Sequence, residues 1–126
     1  MSRAAGALVV AAGLVLVLPA AALAHASLRH TVPVTQSRVE EAPREIVLRF
    51  DQSVSILPNA IQVFGADGTV VSGAAHQTAD HRVVSATLAD LPRGAYTVRW
   101  RTMSADGHSV AGVFTFGVRV AAPPPT

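Results

Sequence analysis

Near the C-terminal end of this 126-residue chain, Ser104-Ala105-Asp106-Gly107-His108 sets an acid and a histidine two positions apart, with a glycine between them. In an extended stretch, residues i and i+2 project to the same side. One carboxylate oxygen and one imidazole nitrogen can then address a single point, which is half of a metal site. Asp-Gly is also a common turn pair, and a histidine beside such a turn is usually only solvated. The motif needs a further donor to rise above that.

The donor lies at the other end. Residues 1–24 hold Arg3 in a positive leading region, an apolar run from Ala7 to Leu18, and the small-x-small sequence Ala22-Leu23-Ala24. This is the pattern of a secretory signal peptide, which is removed. The apolar run is near the short limit for a membrane span. Removal after Ala24 makes His25 the first residue of the mature chain. Its free α-amine, with a pKa of about 7.7–8.0, then sits on the same residue as an imidazole. Those two nitrogens can close a chelate ring on one ion, which no internal histidine can do. The expected protein is periplasmic or secreted, with no membrane span in the mature chain.

The mature chain, about 100 residues, suffices for one domain with one core. Ten Arg less Arg3 leaves nine against eight Asp and Glu, a net charge near +1, and there is no Lys. No basic cluster stands out, so a nucleic-acid partner is not expected. The absence of cysteine excludes a disulfide framework and a thiolate metal site.

Short strands must carry the candidate donors. Ala26 to Pro33 reads as a first strand and residues 34–44 as a loop. Glu45 to Asp51 alternates, with Ile46, Leu48 and Phe50 on one face. Pro58 and Asn59 break the chain before a strand from Ala60 to Phe64. The Asp67-Gly68 turn predicts a hairpin partner at Thr69 to Ser72. Gly73 to Asp80 reads as a loop and Arg82 to Leu88 as a strand. Leu91-Pro92-Arg93-Gly94-Ala95-Tyr96 is similar to a tyrosine corner, and Tyr96, Val98 and Trp100 share an inner face. Phe114, Phe116, Val118 and Val120 line one face of the last strand. Ala121 to Thr126 is a Pro-rich tail with nothing to pack against. The expectation is an all-β Greek-key sandwich or barrel of about seven strands, with domain bounds at 25–120. Ser104 and Ser109 flank His108, but nothing specifies the oxyanion hole and orienting acid of a serine hydrolase.

Several blocks together resemble the CopC family of copper resistance proteins. They are His25-Ala26-Ser27-Leu28, Ile46-Val47-Leu48-Arg49-Phe50, Leu91 through Trp100, Ser104-Ala105-Asp106-Gly107-His108, and Gly112-Val113-Phe114-Thr115-Phe116. The resemblance runs over roughly residues 25–120. It implies a small extracytoplasmic β-sandwich, cupredoxin-like or immunoglobulin-like, that binds Cu(II) without turnover. Carried over residue by residue, the family's copper ligands fall on His25, through amine and ring, and on Asp106 and His108. Three nitrogens and one oxygen suit tetragonal Cu(II). The resemblance also implies handover to a multi-pass membrane copper importer of the CopD type.

Two departures stand out. Where some members carry a glutamate after the second long strand, this chain has Gln52, preceded by Asp51, which puts a carboxylate from that strand in doubt. Other members hold a Met-rich Cu(I) site, whereas Met103 is the single methionine after the leader. His30, His76 and His81 read as solvated surface residues with at most weak secondary binding. Two other functions remain in view: a copper monooxygenase built on an N-terminal histidine, and a non-metal immunoglobulin-like binding module.

Overall fold

The computed structural model describes residues 6, 12, 13 and 25–125. Apart from those three positions, the expected signal peptide lies outside the described residues, as does Thr126. Among the described residues, no helix is long and apolar enough to cross a membrane.

The fold is all-β, with eight strands: β1 (Leu28–Val32), β2 (Ser37–Val39), β3 (Glu45–Phe50), β4 (Val54–Phe64), β5 (Ser72–Gln77), β6 (Val83–Leu88), β7 (Gly94–Ser104) and β8 (Ser109–Val118). They form two four-stranded sheets, ordered β1-β3-β6-β5 and β2-β8-β7-β4. Every pairing is antiparallel except that of β2 with β8.

Alternation explains the core. Ile46, Leu48 and Phe50 point inward from β3, and Tyr96, Val98 and Trp100 from β7. Phe114, Phe116 and Val118 join them from β8. Each such side chain contributes about 1.5–3 kcal/mol by leaving water. Phe50 meets Trp100 edge-on across the sandwich, with 5.4 Å between ring centroids. Tyr96 stacks on Phe116 at the same separation. The Tyr96 hydroxyl donates to the Pro92 carbonyl at 2.6 Å, the bond that a tyrosine corner requires.

Four local expectations are corrected. Residues 34–44 contain β2, a strand of three residues whose pairing with β8 makes it extended. Pro58 and Asn59 do not end a strand; they lie where the β4–β7 register slips between Ile56 and Ile61, and Asn59 takes φ 58°. The hairpin after Asp67-Gly68 is short, a Phe64–Val70 bridge with Val71 N–H donating to the Val63 carbonyl at 2.8 Å. The chain then changes sheets, and much of the expected loop becomes β5, paired with β6. The strand count is therefore eight rather than about seven.

Nor is the tail free. The Thr115 hydroxyl donates to the Pro123 carbonyl, and Thr115 and Gly117 are buried on the outer side of β8. A β-carbon at Gly117 would stand 2.0 Å from the Val120 carbonyl oxygen, so glycine is what lets the chain fold back there.

Gly112 has a comparable role inside the sandwich. A β-carbon there would come 2.6 Å from the Trp100 ring. Gly112→Ala should therefore cost about 1–3 kcal/mol through overpacking. The loss should appear as a lower urea midpoint followed by the fluorescence of Trp100, the single tryptophan. An unchanged midpoint would contradict the seating of the ring on β8.

Candidate metal centre

Strand register decides what meets at one end of the sandwich. Leu28 of β1 lies opposite Phe50 of β3, so the residues before β1 run past the end of β3. Val54 of β4 lies opposite Ser104 of β7, and Met103 opposite Ser109 of β8. The segment entering β1, the β3–β4 connection and the β7–β8 turn thus share this end.

The β7–β8 turn is closed by two backbone bonds. Gly107 N–H donates to the Ser104 carbonyl, and Ser104 N–H to the His108 carbonyl, each at 2.9 Å. Gly107 takes φ 85°, a left-handed conformation that glycine adopts without steric cost. Asp106 and His108 therefore converge through a turn rather than along an extended strand.

Within that turn Asp106 is heavily engaged. The Ser104 hydroxyl donates to its Oδ1, and the His108 backbone N–H donates to the same oxygen at 3.1 Å. Its other oxygen, Oδ2, faces two imidazoles, His108 Nδ1 at 2.9 Å and His25 Nε2 at 2.9 Å. The two rings are tilted at 49°, with centroids 5.0 Å apart. The Ser104 hydroxyl first, then the His108 ring, hold the Asp106 carboxyl well below the usual carboxylate range. The group is an anion at neutral pH.

Burial is graded. Ser104 is buried, and the Asp106 side chain is 13% exposed, against 57% for His25 and 67% for His108. A fixed carboxylate thus sits beneath two rings that solvent reaches. The donors suit an ion held at about 2 Å from each, because neighbouring ligands at right angles are then about 2.8 Å apart. Nε2 of His25 and Nδ1 of His108 stand at nearly that distance from Oδ2. The three ligand atoms lie within 4.8 Å of one another.

No other candidate ligand joins this group among the described residues. Asp51 is at the same end but faces the entering segment, with Oδ1 accepting the Ser27 N–H at 2.7 Å. His30 is on β1 and His76 on β5, both exposed, and His81 lies in the β5–β6 turn at φ 58°. Ser104 is a site residue that sequence reasoning overlooked. Its place two residues before Asp106 suits a hydroxyl that bonds the carboxylate.

A family model described as the CopC domain matches residues 28–119, which include Asp106 and His108 but not His25. Protein YobA of Escherichia coli (strain K12) is 34% identical over 99 residues, covering 76% of this chain and 80% of the relative. The crystal structure of CopC from Methylosinus trichosporium OB3b superposes with a TM-score of 0.67 at 30% identity, covering 75% of this chain and 93% of that one. PcoC from Escherichia coli, described as a methionine-rich copper resistance protein, superposes with a TM-score of 0.65 at 29% identity, covering 76% of this chain and 100% of that one.

The Asp106 environment carries its own test in metal-free protein. A depressed carboxyl pKa stabilises the fold above the ordinary carboxylate range, and that contribution is lost as pH falls through the lowered value. Ser104→Ala removes the leading cause, so the Asp106 titration should move up in pH. Carbon-13 NMR of the carboxyl group would follow it. A titration indifferent to Ser104→Ala would contradict the bonding described.

Proposed function

The chain belongs to the CopC family, and from that premise we propose that it is an extracytoplasmic copper-binding protein that captures Cu(II) and buffers it or passes it on. The observation that carries this is the approach of two imidazole nitrogens to one oxygen of an ionised carboxylate, each at 2.9 Å. Copper is cargo here.

Nitrogen and oxygen donors in a tetragonal arrangement favour Cu(II), which also heads the divalent affinity order. Cu(I) prefers thiolate and thioether. This chain has no cysteine, and Met103 is its single methionine after the expected leader. In that it differs from the methionine-rich relative. Cu(I) should bind far more weakly.

The proposal assigns the fourth donor to the amine of His25 after removal of residues 1–24. In the unprocessed chain that nitrogen is a peptide amide, and the ring turns Nε2 toward Asp106. A ring closed through the amine must use Nδ1 instead, because only Nδ1 is near enough to the same residue's backbone. Capture therefore includes a turn of the imidazole about Cβ–Cγ, which its exposure to solvent permits. With amine, two rings and Asp106 engaged, the equatorial plane is filled and no position is left for substrate turnover. We infer a binder rather than a catalyst, and a membrane importer of the CopD type as the partner that receives the ion.

Titration of two forms with Cu(II) tests the assignment. Protein beginning at His25 should bind one ion tightly, with affinity falling as pH drops through the titration range of amine and imidazole. A form with one additional residue before His25 keeps every side chain but loses the chelating amine. It should bind more weakly and release one fewer proton per copper. His108→Ala should lose more than the roughly 10–100-fold typical of an outer-shell change. Equal affinity of the two forms would remove the amine from the ligand set, and an inert His108→Ala would remove the site.

A further inference from the structure

Ala26, Ser27 and Arg29, just after His25, are secured by contacts that leave the metal site itself untouched. Ala26 is 2% exposed and belongs to the core cluster. Ser27 N–H donates to Asp51 Oδ1 at 2.7 Å, and Asp51 N–H donates back to the Ser27 carbonyl at 3.0 Å. The Arg29 guanidinium reaches Asp51 Oδ2 at 3.2 Å. Asp51 thus follows β3 directly and uses both carboxylate oxygens and its own amide to hold the segment entering β1. None of its bonds goes to His25, Asp106 or His108.

We propose that Asp51 is a positioning residue of the copper site, clamping residues 27–29 so that His25 falls over the β7–β8 turn. The proposal rests on the copper reading given above. The reason is geometric. Consecutive Cα atoms are 3.8 Å apart, so a Ser27 amide fixed in space leaves His25 only a short arc to explore. The backbone order needed for chelation is then established when the chain folds rather than when the ion arrives. The Ser27–Asp51 exchange supplies most of the hold, because an exposed ion pair such as Arg29–Asp51 contributes little.

A double-mutant cycle on protein beginning at His25, read by Cu(II) affinity, tests this. Asp51→Ala should weaken binding about 10–100-fold, the usual cost of losing an outer-shell partner. In a His25→Ala form that also carries one additional residue before position 25, so that both ring and amine of residue 25 are lost as donors, the same change should have no further effect, because the clamp acts only through residue 25. Asp51→Asn keeps an oxygen for the Ser27 N–H and should retain most of the affinity. Asp67→Ala is the control: Asp67 also accepts a backbone N–H, from Thr69 at 3.0 Å, but in the turn after β4 at the far end of the sandwich. It should leave copper affinity unchanged. Hydrogen exchange of the Ser27 amide in unaltered, metal-free protein should show protection, a readout that needs no variant to fold.

If unaltered protein takes up no copper, the copper reading falls and the clamp's role with it. If it binds, and His25→Ala weakens it while Asp51→Ala does not, the clamp alone is overturned. A further loss from Asp51→Ala in the form that lacks both the ring and the amine of residue 25 would also overturn it, since a general structural effect adds. So would a Ser27 amide exchanging at the rate of an unfolded chain.

Discussion

One oxygen atom organises the site. Asp106 Oδ2 lies 2.9 Å from a ring nitrogen on each of two histidines that are 83 residues apart in sequence, His25 and His108. It can do so because its sister oxygen is already committed to the Ser104 hydroxyl and the His108 backbone N–H. A carboxylate anchored on one side and open on the other is a fixed point of negative charge at the mouth of a turn. On the copper reading proposed above, the two rings, both largely exposed, exchange that contact for an ion. A carboxylate so fixed adds affinity, since little reorganisation accompanies binding.

The sandwich brings the segment entering β1 and the β7–β8 turn together. The β1–β3 register carries residues 25–27 past the end of Phe50, and the β4–β7 register puts Ser104 at the same end. Phe50 and Trp100 pack edge to face beneath, tying β3 to β7 across the core. Gly112 leaves room for the Trp100 ring, so the packing below and the ligand geometry above share strands β7 and β8.

Much of this was legible in the residues. Alternation marked β3, β7 and the inner face of β8, and the Leu91–Tyr96 block announced the corner bond from Tyr96 to Pro92. The types and spacing of Asp106 and His108, with the cleavage pattern before His25, pointed to the three side chains that the structure brings together. What could not be read was non-local. β2 is a strand only because β8 pairs with it, and β5 hides in a polar, small-residue stretch extended by its pairing with β6. The return of the tail onto Thr115 leaves no periodic trace. The bonds of Asp51, whose strand the sequence leaves in doubt as a source of a ligand, run to Ser27 and Arg29, a partnership that depends on tertiary register. Ser104 was overlooked because a buried hydroxyl serving a carboxylate resembles any other turn serine.

The most direct measurement of the central claim is the electron paramagnetic resonance of protein beginning at His25, carrying one equivalent of Cu(II) and histidine labelled with nitrogen-15 in the ring only. The account predicts a tetragonal signal with three nitrogen couplings, two shifted to nitrogen-15 by the rings of His25 and His108 and one remaining nitrogen-14 from the amine. A signal with a single imidazole coupling, or one that the label does not touch, would contradict it.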